Sequence, residues 1–295
     1  MVKRIIQITL FLFLILIIFF MYLSIYGVST DKFNNLISEK ISERDKNLEI
    51  NLNEIKIFLN INDFNFELKT NNPKVFFRNK EIKIKSISTD LPLKNLLSQK
   101  INFQEIKILT HKNKISNLIE IIRVYKNNPQ LFILNKIVKE GFIEIESKIS
   151  FNDDGSIKNN YLIDGNIKDL KIELPNNNII ENINLSFLIR EKDYLIYNLS
   201  SLYHSVKIKS NQIKIIENQD SYNFEGDISN LKSKINLSKF SALLNNDIKS
   251  FLKNELIISS NNKFSFKLNK KIKFSDINIQ SKMSLEELQY SNNIF

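Results

Sequence analysis

From Ile5 to Leu23 the chain carries only two polar side chains, Gln7 and Thr9, among aliphatic and aromatic neighbours. In an apolar medium such a stretch is limited to an α-helix, which pairs every N–H and C=O within the segment. At 1.5 Å per residue the run from about Ile5 to Tyr26 covers the ~30 Å hydrocarbon layer of a bilayer. Tyr22 and Tyr26 fall where aromatic rings favour the interface. Lys3 and Arg4 precede the span, and the positive-inside rule keeps them cytoplasmic. A cleaved signal peptide is the competing expectation, but its apolar region runs only about 7–15 residues and ends at a small-x-small site. Gly27-Val28-Ser29 is a poor version of that site. The expectation is therefore an uncleaved single-pass anchor, residues 1–26, with its N-terminus in the cytoplasm. Residues 27–295 then form one β-rich domain on the far side of the membrane.

That remainder is dominated by period-two alternation. Leu48, Ile50 and Leu52 alternate, the parity shifts, and Ile55, Ile57, Leu59 and Ile61 continue, followed by Phe64, Phe66 and Leu68. Ile143, Ile145, Ile149 and Phe151 hold one parity up to the turn residues Asn152-Asp153-Asp154-Gly155. Ile183, Leu185, Phe187 and Ile189 alternate cleanly, as do Phe264, Phe266 and Leu268. Many short period-two segments separated by Asn, Asp, Gly and Ser predict antiparallel β-structure. The fold class expected is mainly β, a long curved antiparallel sheet with a groove-like apolar face. Helical spacing predicts helices only near residues 31–44, 115–138 and 240–253. Parity breaks such as that between Leu52 and Ile55 are expected to be bulges or turns, since a one-residue slip would send the apolar set to the wrong face.

The formal net charge of +10 raises nucleic acid as a partner. The lysines, however, are spread through alternating segments such as Glu81-Ile82-Lys83-Ile84-Lys85, where they share one solvated strand face. No nucleic-acid module accompanies them, so a solvated sheet face is the first expectation, with attraction to anionic lipid headgroups the next and ahead of nucleic acid. Cysteine is absent, which excludes a disulfide framework and any thiolate metal site. His111 and His204 lie in no motif that would orient a catalytic imidazole. Asp153-Asp154-Gly155 lacks the further oxygen ligands of a calcium loop and reads as a hairpin turn. With no phosphate loop, nucleophile elbow or zinc pattern, the sequence predicts neither an enzyme nor a cofactor or metal site.

A weak repeat adds to this picture. Tyr161-Leu-Ile-Asp-Gly165-Asn-Ile-Lys-Asp-Leu170 resembles Tyr222-Asn-Phe-Glu-Gly226-Asp-Ile-Ser-Asn-Leu231, and Met283-Ser-Leu285-Glu-Glu-Leu288 is a fainter copy. Repeats of this length suggest a sheet extended by reiteration. The pattern is still running at Phe295, so the chain is expected to be the first part of a longer protein. The layout resembles the N-terminal part of the AsmA-like family, the group that includes TamB and YhdP. The resemblance begins with the single span and the stretch Phe33–Ile41. It continues through Ser88-Thr89-Asp90-Leu91-Pro92-Leu93 with Leu96-Leu97, the returning strand Phe103–Ile108, and the Gly-x-apolar-x-x-Leu segments at Gly165 and Gly226.

The resemblance implies a periplasmic β-groove, anchored in the inner membrane, that carries phospholipid between membranes and serves outer-membrane biogenesis. Membrane lipids and other envelope proteins are the implied partners. Acyl chains gain about 0.8 kcal/mol per CH₂ on leaving water but little net on leaving a bilayer, as a conduit requires. Alternating positions place Ile143, Ile145, Ile163, Ile183, Leu185, Phe187, Phe224, Phe264 and Phe266 on the face expected to hold acyl chains. The same pattern would arise from a face packed on helices. The alternatives are accordingly a non-transporting assembly scaffold or an LptC-like lipopolysaccharide-transport component.

Overall fold

In the computed structural model the alternating stretches are strands, and sixteen of them among the described residues join one antiparallel sheet. The structure describes residues 2–31, 34, 38–39, 43, 45–61, 65–92, 105–126, 128–152, 156–175, 178–236 and 255–286. The helix expected at 31–44 lies mostly outside these residues, and the one expected at 240–253 lies wholly outside them.

Helix α1 (Val2–Ile25) is long and apolar enough to cross a membrane. Its side chains from Lys3 to Tyr22 are exposed, and Leu23 is the first to be buried. The helix is left through Gly27 at φ 66°, where a Cβ would stand 2.8 Å from the Ile57 carbonyl oxygen. Only glycine combines that left-handed conformation with so close a backbone approach. The chain then enters β1 (Val28–Thr30), which pairs with β3 (Ile55–Asn60).

The chain divides into two compact units, residues 1–113 with 145–162, and residues 114–144 with 163–295. The first unit also contains β2 (Leu48–Asn51), β4 (Asn65–Asn71), β5 (Lys74–Phe77), β6 (Lys80–Pro92) and β7 (Glu105–Thr110). The thirteen-residue β6 pairs with β5 at its start and with β4 and β7 further along. The parity break between Leu52 and Ile55 is a turn. Asn53 sits at φ 55° with its N–H on Asn51 Oδ1 at 3.0 Å, and the chain leaves β2, paired with β5, for β3, paired with β4. The turn brings Leu52 and Ile55 into one core with Leu68 and Leu91, flanked by Ile50, Ile57 and Ile87.

Past β8 (Asn113–Lys114), the second unit opens with α2 (Ile115–Tyr125) and α3 (Pro129–Ile137). Asn128 caps α3 by accepting the Leu131 N–H at 2.8 Å, and Pro129 takes the first turn, where its missing N–H costs nothing. Strand β9 (Val138–Ser150) spans the division, its residues 145–150 belonging to the first unit. Next come β10 (Leu162–Leu174), β11 (Asn178–Arg190), β12 (Asp193–Tyr203), β13 (Val206–Glu217), β14 (Ser221–Asn236), β15 (Glu255–Asn269) and β16 (Phe274–Glu286). From β10 onward each strand pairs with the next in sequence. The turn expected at residues 153–155 lies outside the described residues; on either side of it Phe151 bridges Ile157 and the Asn152 N–H donates to the Ser156 carbonyl at 2.8 Å.

Left-handed residues interrupt the long strands, among them Asp169 (φ 54°) in β10 and Asn182 (φ 52°) in β11. The apolar spacing stretches from two to three across each, from Ile167 to Leu170 and from Ile180 to Ile183. All four side chains nevertheless reach the same core. An extra residue absorbed as a bulge keeps the burial pattern in phase.

Candidate functional site

Directly opposed residues of antiparallel strands share a face, so the register of the second unit defines one long apolar row. Phe187 opposes Ile196, Ile196 opposes Ile213, Ile213 opposes Gly226, Gly226 opposes Phe264, and Phe264 opposes Ile279. A second row, one step along, runs from Ile189 through Tyr194, Ile215 and Phe224 to Phe266. The phenyl rings meet across it. Phe224 and Phe266 stack at 4.6 Å and 12°, Phe264 lies 5.8 Å from Phe266, and Phe274 tilts onto Phe266 at 5.4 Å. Between these rows and on the other face stand Lys214, Glu225, Ser265 and Asn278, an opposed polar set.

Polar groups bound the aromatic zone at both ends. At one end the Tyr194 hydroxyl donates to Glu217 Oε2 at 2.9 Å, and Glu217 opposes Tyr222. Burial, reinforced by the Glu217 charge, holds the Tyr222 phenol neutral above its ordinary pKa. At the other end Asn230, Ser260, Asn262 and Ser281 form a side-chain ladder across β14, β15 and β16. Ser281 Oγ donates to Asn262 Oδ1, and Asn262 Nδ2 donates to Ser260 Oγ at 2.9 Å and to the Ile228 carbonyl at 3.1 Å. Ser260 Oγ donates in turn to Asn230 Oδ1.

Of the nine residues expected to form the acyl-binding face, eight lie in the second unit and Ile145 lies in the first. They do not share one environment. Ile183 is buried with Ile115 and Ile119 of α2, Val138 and Leu170, and Ile143 and Leu185 pack against that core. The helix covers this end, as a packed sheet would have it. Phe187, Phe224, Phe264 and Phe266 are half-buried on the rows described above, and Ile163 is half-buried on β10. Beside them on β16 the face is open, with Phe274 60% and Ile279 64% exposed.

Two surface depressions of this unit lie on the opposite, polar side. The larger, about 460 Å³, is lined by Gln212, Lys214, Glu225, Asp227, Lys263 and Gln280. His111 and His204 stand in different units, each beside an asparagine, Asn72 at 2.9 Å and Asn178 at 3.4 Å. No group of three His, Asp or Glu side chains is placed to hold a metal ion among the described residues. The Asn/Ser ladder escaped the sequence reading. Its signal is the in-phase placement of Asn262 and Ser260 two and four residues from Phe264, which joins these residues to the apolar parity. No family model, no curated protein and no solved structure matches this chain.

Proposed function

We propose that this chain is an envelope protein, anchored in the inner membrane by α1 with its N-terminus in the cytoplasm, that handles phospholipid acyl chains along the open apolar sheet face. The observation that carries the reading is the cross-strand zone around Phe224, Phe264 and Phe266, apolar, aromatic and only half covered. A monomer rarely leaves so continuous an apolar surface to water, and lipid is an occupant that needs no enclosed cavity. The resemblance of the layout to the AsmA-like family supports the same reading and a periplasmic sheet, with membrane lipids and other envelope proteins as partners. Lys3 and Arg4 ahead of the span support the orientation.

The burial of Ile183, Ile143 and Leu185 against α2 favours a second reading, an assembly scaffold whose sheet is dry. Photo-crosslinking in membranes separates the two. A crosslinking residue at Phe266 of the full chain is expected to capture phospholipid at least severalfold more than one at Lys263, on the other face. Phe266→Asp is expected to lower capture at a reporter placed at Phe224 while the protein stays folded, since an open face tolerates a charge better than a core. Equal capture at Phe266 and Lys263 would leave the scaffold reading standing.

A further inference from the structure

Helix α3 carries Leu131, Phe132, Ile133, Leu134 and Ile137 within nine residues, an apolar set that runs all the way round the helix. A helix of that composition is ordinarily enclosed by protein or by lipid. None of its residues is buried, and Phe132, Ile133 and Leu134 are 45%, 46% and 41% exposed. Its neighbour α2 buries Ile115 and Ile119 in the core and leaves Ile122, Val124 and Tyr125 exposed. Cations border this apolar surface. Lys136 Nζ lies 4.7 Å and the Arg123 guanidinium 5.4 Å from the centre of the Phe132 ring, and Lys126 closes α2. Arg123 Nε is buried without a hydrogen-bond partner. Residues 113–137 hold Lys114, Arg123, Lys126 and Lys136 against the one carboxylate of Glu120.

We propose that the α2–α3 hairpin is a docking element for an anionic lipid surface, that of the bilayer which α1 crosses. Exposed aliphatic and aromatic side chains sink into the acyl boundary, while Arg123, Lys126 and Lys136 keep their stems in apolar surroundings and meet anionic headgroups. Charge complementarity selects a net-anionic lipid surface over a zwitterionic one. The anchor selects the host bilayer, because a tethered second contact occurs at high effective concentration. The inference stands whether or not lipid occupies the sheet face.

The chain has no cysteine, so a single cysteine at Ile133 labels the full-length protein uniquely. With an NBD probe there, the chain is reconstituted into vesicles of phosphatidylglycerol and phosphatidylcholine in equal parts, or of phosphatidylcholine alone. The expected result is a blue-shifted emission quenched by spin-labelled lipid of the host bilayer, strongest with phosphatidylglycerol. Each basic residue near an anionic surface is worth about fivefold in partitioning, so K126E/K136E should abolish most of the quenching with no change in melting temperature. The second variant, Leu134→Asp, should do the same, since Leu134 is no part of the core. Water-like emission in both vesicle types would overturn the proposal. So would a blue shift that host-lipid quenchers leave untouched, which would mean a protein partner, or quenching only by a second, added vesicle population.

Discussion

A Cβ added at Gly165 would lie 2.5 Å from Phe187 Cζ and 2.7 Å from the Glu144 carbonyl oxygen, and one at Gly226 would lie 2.8 Å from the Gln212 carbonyl oxygen. These two glycines are the equivalent positions of the internal repeat, and their likeness in sequence reflects one physical need. Each leaves a gap in a strand over which a neighbouring side chain, Phe187 or Ile213, closes. The phenyl ring at Phe187 could swing aside, but the carbonyl could not. Gly165→Ala is therefore expected to destabilise the protein by ~1–3 kcal/mol, the usual range for overpacking. The double variant Gly165→Ala/Phe187→Leu should recover only part of the loss, because the backbone clash remains. Chemical denaturation of the reconstituted protein checks this, and a single variant as stable as the parent would show that the strands part freely. The repeat does not extend to every position. Leu170 is buried in the helix-covered core whereas its counterpart Leu231 is 69% exposed.

At the scale of strands, register is held by side chains as well as by the backbone ladder. The pairing of β13 with β14 shifts between Lys209 and Ile213, and Asp227 grips that irregularity. Its carboxylate accepts the Asn211 N–H and the Gln212 N–H, both at 3.1 Å, and Asn211 Nδ2 at 3.2 Å. Asn166, the repeat equivalent of Asp227, accepts a hydrogen bond from the Ser186 hydroxyl of the next strand at 2.7 Å. Removing the carboxylate in Asp227→Ala frees two amides that water can reach, so the cost should stay near about 1 kcal/mol. The local signature is sharper. Amide exchange at Asn211 and Gln212 should accelerate relative to the rest of β13. Unchanged exchange there would mean that the backbone holds the bulge without help.

For the molecule as a whole, alkaline stability draws on three groups among the described residues whose protons are held more tightly when folded. The hydrogen bond to Asp90 at 2.9 Å raises Lys107, opposed in part by burial and reinforced by the Asp90 and Glu105 charges. Burial, aided by neighbouring carboxylates, raises Tyr222 and Tyr197. A raised folded pKa stabilises below the unfolded value and loses that contribution as pH climbs through the folded one. All three act in the same direction, so melting temperature should hold up to about pH 10 and fall beyond it, where unfolded tyrosine and lysine release their protons. The Lys107 side chain is 44% exposed, and solvent screening keeps its share small. Tyr222→Phe removes one of these contributions and should flatten the alkaline decline. A decline of the same slope in that variant would exclude Tyr222 as a cause.

The amino-acid sequence by itself determined the membrane-length helix, the strands and their antiparallel class, and the two helices between Ile115 and Ile137. Each of these follows from a local period or a run length that burial and backbone hydrogen bonding reward within a few residues. The turn between Leu52 and Ile55 was legible for the same reason, as a break of parity. What covers the apolar face was decided only by tertiary structure. Ile143, Ile183 and Leu185 share the alternation of Phe224, Phe264 and Phe266, yet α2 packs on the first three and leaves the aromatic zone half open. Alternation records which side of a strand is apolar and carries no information about the neighbour on that side. The Asn/Ser ladder and the contacts beneath Gly165 and Gly226 were hidden for a related reason, since both exist only once the register has set residues of different strands, thirteen or more positions apart, side by side.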